Sequence, residues 1–294
     1  TATDLLVEEN LGGGVFVSGA QLTLDRTTIR RTFPNVEVGL GTGLHVQFGG
    51  SVTATDLVVE DCTGQGIVVG TAGSVLTADG LEIRGTQPTI DGLRSFALYA
   101  AQEAQFDVRD ALLEDNSGAG VFLDSSALGF LEEVTVRRTS ADATKIGGVG
   151  LLVQRDSELQ GSSVTVEDSS GPGLFLSGGL IDCDDCTIVD SGFAGAVVLE
   201  GQLAMSGGAV QGSAPTPDLG GGLGLFAWSF EDVAVQLQDI EISGHPGPAV
   251  YLRGPGSYQL EGVTVRESAD LLLVPGAVVA LEGTEPWDET EQSG

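Results

Sequence analysis

One phrase recurs along the whole chain, and its spacing restricts the fold more than any other feature. Asp4-Leu5-Leu6-Val7-Glu8-Glu9-Asn10 aligns with Asp56-Leu57-Val58-Val59-Glu60-Asp61-Cys62. The same pattern sets an apolar anchor at Val7, Ile29, Val59, Ile83, Leu113, Val136, Val166, Ile188, Val210, Ile242 and Val265. Successive anchors lie 22, 30, 24, 30, 23, 30, 22, 22, 32 and 23 residues apart. A plain unit therefore alternates, over most of the chain, with a unit carrying an insertion. The period is too short for tetratricopeptide or ankyrin units, and the Asn-containing L-x-x-L-x-L signature of leucine-rich repeats is absent. With 45 glycines beside 41% hydrophobic residues and no G-X-Y period, neither collagen nor disorder fits, and many brief strands with tight turns do.

Each unit contains three short strands: the anchor phrase, then Gly14-Val15-Phe16-Val17 and its equivalents, then Gln21-Leu22-Thr23-Leu24 and its equivalents. In the third strand Leu22 and Leu24, Phe106 and Val108, and Val235 and Leu237 alternate with polar residues, so one face is buried and the other wet. Three residues past each anchor runs a column of mostly small polar residues: Asn10, Thr32, Cys62, Thr86, Asn116, Thr139, Ser169, Ser191, Ser213, His245 and Ser268. Such a column can satisfy turn backbone groups coil after coil. The expected architecture is all-β, a right-handed parallel β-helix of about eleven stacked coils with three short strands per coil. It spans residues 1–283 as a single domain that starts mid-repeat, and so is expected to be truncated or continued upstream. An acidic C-terminal tail, 284–294, follows.

One residue past the anchor the column reads Glu8, Arg30, Glu60, Arg84, Glu114, Arg137, Glu167, after which alternation lapses into Val189, Gln211 and Ser243. Stacked about 4.8 Å apart, opposite charges penalise a one-coil slip that would pair like with like. The chain as a whole holds 12 basic and 42 acidic residues, a formal charge of -30. That field repels phosphate backbones and anionic lipid, so nucleic acid is not an expected partner. No apolar stretch is long enough for a membrane span, and insertion into a membrane is not expected.

By phrases such as Val121-Phe122-Leu123-Asp124 and Gly150-Leu151-Leu152-Val153-Gln154, the chain resembles the right-handed β-helix repeat proteins of the pectin-lyase-like superfamily, in particular secreted bacterial ones. The resemblance implies the fold and an extracellular or cell-surface setting. It implies an activity only weakly, since lyases, hydrolases, adhesins and tailspikes share the fold. A lyase of this shape needs calcium-binding carboxylates and an Arg or Lys base. Asp182, Asp184 and Asp185 offer oxygens to calcium, the one cofactor left open, but turn aspartates recur at Asp25, Asp56, Asp79, Asp110 and Asp239 and favour an ordinary turn role. Of the polygalacturonase motifs only Asp184-Asp185 and Gly244-His245-Pro246-Gly247 find an echo, so no catalytic residue is assigned. Cys183 and Cys186 are either buried small apolar residues or a disulfide across one corner, and Cys62 reads as a free buried thiol.

The middle position of the second strand is apolar in coil after coil: Phe16, Val68, Leu98, Phe122, Leu152, Phe175, Phe226 and Tyr251. With Val15 and Val17 pointing inward, the pleat turns these residues outward. The stripe is then either a binding face for a protein or a polysaccharide, or is covered by the four insertions at 33–42, 87–94, 140–148 and 214–222 or by a missing part of a larger assembly. The leading expectation is a secreted or surface-exposed non-enzymatic scaffold or adhesion module that binds its partner through this face. The alternative is a calcium-dependent polysaccharide lyase or glycoside hydrolase.

Overall fold

Strands stack in parallel register from one coil to the next, and the register runs through the anchors. Val7 pairs with Ile29, Ile29 with Val59, Val59 with Ile83, Ile83 with Leu113, and so on to Ile242 with Val265. The computed structural model describes residues 1–35, 39–89, 95–142, 147–216, 220–228 and 233–268, and the strands at 272–273 and 277–282 by their backbone. Among the described residues there is no helix, so none crosses a membrane. The acidic tail falls outside the described residues.

Three faces wrap one continuous apolar core. The third strand of one coil runs on into the anchor strand of the next, giving ten-residue strands such as Gln21–Arg30, Ser51–Glu60, Val75–Arg84 and Gln105–Glu114. A left-handed residue bends each of these at the corner, for example Arg26 (φ 47°), Asp56 (φ 50°) and Asp110 (φ 46°). Aspartate suits this position because its short side chain tolerates that backbone conformation. A second left-handed corner follows every anchor, at Glu9, Arg31, Asp61, Asp115, Arg138, Asp168 and Asp190. Between Val149 and Gln211 the stripe strand joins as well, so that single strands of 19, 16 and 18 residues pass through all three faces of a coil.

From Thr32 to His245 the polar column is buried; Thr32, Thr86, Asn116 and His245 are hydrogen-bonded through their side chains, while the hydroxyls of Thr139, Ser169, Ser191 and Ser213 have no hydrogen-bond partner among the described residues. Asn116 Oδ1 accepts from the backbone N–H (3.1 Å) and hydroxyl (3.0 Å) of Thr86, and Asn116 Nδ2 donates to the carbonyl of Ile83 at 3.0 Å. Thr32 Oγ1 donates to the Gly41 carbonyl at 3.1 Å. Cys62 is free and fully buried, and burial pushes its thiol pKa up. The charged column forms its ladder: Arg30 lies 2.7 Å from Glu8 and 3.8 Å from Glu60, Arg84 lies 2.6 Å from Glu60, and Arg137 lies 2.7 Å from Glu114. Surface pairs contribute little stability each, and their consequence here is registration of coils.

Core volume is balanced between neighbouring coils. The Phe106 ring fits because its neighbour in the next coil is Gly129, where a Cβ would lie 2.6 Å from Phe106 Cζ. Gly161 makes the same kind of room beside Cys183 Sγ, at 2.8 Å from where its Cβ would stand. Cys183 and Cys186 are joined by a disulfide with their Cα atoms 5.8 Å apart, both buried in the core wall.

Candidate functional site

The stripe strand is held with two side chains inward and the one between them outward. Val15 and Val17, Leu44 and Val46, Ile67 and Val69, and Val121 and Leu123 enter the core. The residue between each pair forms a column in strict register: Phe16, His45, Val68, Tyr99, Phe122, Leu152, Phe175, Val197, Phe226, Tyr251. Seven of the eight residues expected on the stripe stand in this column. Leu98 does not: it pairs with Ile67 and Val121 and is fully buried in the core, and Tyr99 takes the outward place. The segment Phe96-Ala97-Leu98-Tyr99 is apolar throughout, so alternation alone cannot phase it. His45 and Val197 are further members that an apolar pattern broken by a histidine or flanked by valine and leucine does not single out.

The column is covered to different degrees. Phe16 is 60% exposed, whereas Val68, Phe122 and Val197 are 5%, 8% and 2% exposed, and the remaining members are half-buried. Around Val197 the outer face forms a small core of its own with Ala194 and Leu223, against which Phe175, Phe193, Leu199 and Phe226 pack. Two of the insertions are bridged antiparallel at their bases, at Ala141 and Gly147 and at Pro215–Thr216 with Gly220–Gly221. Residues 36–38, 90–94, 143–146 and 217–219 of these insertions lie outside the described residues.

Two aromatic groups stand on the face. In the first, Tyr99 stacks on Phe122 with ring centroids 5.0 Å apart, and Phe96 lies 5.3 Å from Tyr99 and 4.9 Å from Phe122. In the second, Phe226 stacks on Tyr251 at 5.2 Å and 15°, with Phe193 and Trp228 edge-on at 5.8 and 6.3 Å. Offset and edge-on geometries of this kind are the favourable ones for aromatic pairs. The guanidinium of Arg253 sits over the Trp228 ring, 4.9 Å from its centroid.

A polar row lines one side of the first group. Asp124, two residues past Phe122, accepts from Gln154 Nε2 at 3.2 Å and from Arg155 Nη1 at 3.1 Å. Its carboxylate is mostly buried, while Arg155 is exposed. His45, beside Phe16 at 5.1 Å, has its pKa lowered by burial, so the ring is neutral near pH 7.

Asp182, Asp184 and Asp185 lie elsewhere, on the third face and its corner. Asp185 is the left-handed corner residue (φ 53°), in the column of Asp56 and Asp110, and Asp184 accepts from Ser206 Oγ at 2.8 Å. Among the described residues no three His, Cys, Asp or Glu side chains are grouped to hold a metal ion. Asp185 is thus a turn residue like its column neighbours, and Asp182 and Asp184 are exposed beside it. An open groove of 510 Å³ on the anchor face is lined by Asp56, Glu82, Asp110 and Glu133 over Val58, Leu81 and Leu112. His245 belongs to the buried polar column, not to any cleft. Its Nδ1 accepts from the Ser213 N–H at 3.2 Å, and Nε2 donates to the Val210 carbonyl at 3.0 Å.

A family model described as right handed beta helix region matches residues 42–207, more than half of the chain. The chain belongs to this family. No curated protein matches the β-helix chain by sequence. Among solved structures, a double mutant of the periplasmic alginate epimerase AlgG superposes with a TM-score of 0.69 at 11% identity, covering 96% of this chain and 77% of that one. The periplasmic alginate epimerase AlgG itself gives 0.64 at 12% identity, covering 95% of this chain and 76% of the other. At such identities the likeness is one of fold, which this β-helix shares over nearly its whole length.

Proposed function

We propose that this β-helix is a non-enzymatic binding module that holds a glycan against its stripe face, in the cell envelope or outside the cell. The observation that carries the reading is the outward column from Phe16 to Tyr251, kept in register coil by coil, with Asp124, Gln154 and Arg155 beside its central rings. Aromatic faces take the C–H surfaces of sugar rings, while the adjoining carboxylate, amide and guanidinium exchange hydrogen bonds with hydroxyls. Asp124 is engaged by Gln154 and Arg155, a fixed arrangement suited to recognition rather than to proton transfer. The kinship of fold with an epimerase named for alginate and for the periplasm supports both the class of ligand and the setting, and the disulfide agrees with an oxidising compartment.

Affinity electrophoresis through gels containing a panel of polysaccharides tests this. Retardation by at least one polymer is expected, with no new reducing ends or unsaturated products after long incubation. The retardation should be lost in a Trp228→Ala, Tyr251→Ala variant that melts like the parent. Turnover of any polymer would overturn the non-enzymatic reading, and mobility unchanged by every polymer would overturn the glycan.

A further inference from the structure

Resting on the glycan reading, we infer that the ligand is an uncharged, extended polymer that lies along the solenoid axis and is gripped at two aromatic nodes. The first node is Phe96, Tyr99 and Phe122 with Asp124, Gln154 and Arg155; the second is Phe226, Tyr251 and Trp228 with Arg253. From Phe122 the register runs through Leu152, Phe175 and Val197 to Phe226. Those four steps at about 4.8 Å each separate the nodes by roughly 19 Å. A single sugar cannot touch both, and a chain of several can. Between the nodes the column itself stays apolar, with Leu152 and Phe175 half-buried and Val197 covered, while the row beside it continues from Gln154 through Ser177 to the exposed carboxylate of Glu200, an anion that adds to the repulsion of a polyanion.

Charge sets the class. Among the described residues, Arg155 and Arg253 are the cations on this face. The first is paired with Asp124 at 3.1 Å and the second lies over Trp228. Neither is a bare counter-ion for a uronate or sulfate, and the whole molecule carries a formal charge of -30. Bringing a polyanion to this surface works against the long-range field, whereas a neutral polymer is indifferent to it. Two nodes on one rigid scaffold also make the second contact intramolecular once the first has formed, so affinity should rise steeply at the chain length that spans them.

The test is calorimetry and affinity electrophoresis with soluble uncharged polymers (a β-glucan, a xylan, a mannan) and their oligosaccharides of roughly two to eight sugars. Polygalacturonate and alginate, with and without calcium, complete the panel. At least one neutral polymer should bind with an affinity little changed by salt. Its shortest oligosaccharides should bind at least tenfold more weakly than those long enough to span. Trp228→Ala at one node and Tyr99→Ala at the other should each lower polymer affinity about tenfold or more while leaving the shortest oligosaccharides' affinity for the intact node unchanged. Equal affinity for short and long chains would overturn the two-node geometry and leave glycan binding standing. Tighter binding of the polyanions would overturn the uncharged class. Failure of every carbohydrate would overturn the glycan reading itself.

Discussion

Gly66 shows how a single missing methyl group sets the stacking. A Cβ there would stand 2.7 Å from Ile83 Cγ2 and 2.6 Å from the Ala97 carbonyl, and Gly14 and Gly43 face Ile29 and Val59 in the same way at 2.5 Å. β-Branched anchors thus fill the space that the neighbouring glycine vacates. Ala97 occupies the equivalent place where the next anchor is Leu113, the one anchor not branched at Cβ, and Ala249 where the next is Val265, which is only half-buried. Gly66→Ala should therefore cost about 1–3 kcal/mol through overpacking, read as a shift of the denaturation midpoint, and Ile83→Leu in the same chain should recover part of it. A neutral Gly66→Ala would mean that the coils part without penalty. His245 supplies a second residue-level expectation. It takes the same pair of bonds as Asn116, one from the preceding column residue's N–H and one to the preceding anchor's carbonyl. Burial, by desolvating the charged ring, lowers its pKa below 6.5, and a proton on Nδ1 would displace the bond from the Ser213 N–H. The unfolded chain then binds the proton more readily than the folded one. Stability from this residue is complete above about pH 6.5 and falls as the pH drops below it, by at most about 1.4 kcal/mol per pH unit. His245→Asn should keep the bonds and flatten that part of the profile relative to the parent, and an unchanged slope would show that another group titrates there.

At the level of strands, what could be read from the sequence follows from how many residue types a position admits. Anchor and polar column each draw on a narrow class in almost every coil, and the charged column does so as far as Glu167, so all three are legible there and the structure keeps them in register. The stripe is less so, because inward and outward positions are both apolar and the pleat has to be phased by something else. The glycine or alanine before the first inward residue supplies that phase: Gly14 precedes Val15, Gly120 precedes Val121, and Ala97 precedes Leu98. Counted from Ala97, Leu98 enters the core and Tyr99 faces out, as the register has them. The polar partners escaped for a different reason. Asp124, Gln154 and Arg155 come together from neighbouring coils separated by an insertion, at a distance of about thirty residues in sequence, and no local pattern marks them. The two neighbours in the strand should answer truncation differently. Leu98→Ala should cost about 2–5 kcal/mol, as for any filled core position, with binding retained in the folded fraction. Tyr99→Ala should cost distinctly less stability and lower polymer affinity about tenfold or more. If the order of the two stabilities were reversed, the outward assignment of Tyr99 would be wrong.

The whole molecule is asymmetric in charge along its axis, and a solenoid makes that asymmetry local. Residues 156–294 contain 22 of the 42 acidic residues against two basic ones, Arg253 and Arg266. The ion pairs of the ladder and its surroundings, Arg30 with Glu8, Arg84 with Glu60 and Arg138 with Glu114 and Asp115, all lie before that point. Beyond Glu167 the ladder column reads Val189, Gln211 and Ser243, and the carboxylates of this half share only two cations. Each coil touches only its neighbours, so regional stabilities are not averaged over the chain as they would be in a globular core. Added salt should act in opposite directions at the two ends. Screening weakens the attractive pairs of the first half and relieves the self-repulsion of the second, most fully near 1 M, where the screening length is about 3 Å. Hydrogen exchange followed by peptide mass spectrometry should show protection rising with salt across the anchor strands around Ile188, Val210 and Ile242. Across those around Ile29, Ile83 and Leu113 it should stay level or fall. A uniform change along the chain would mean that the coils unfold as one unit and that the charge asymmetry has no local consequence.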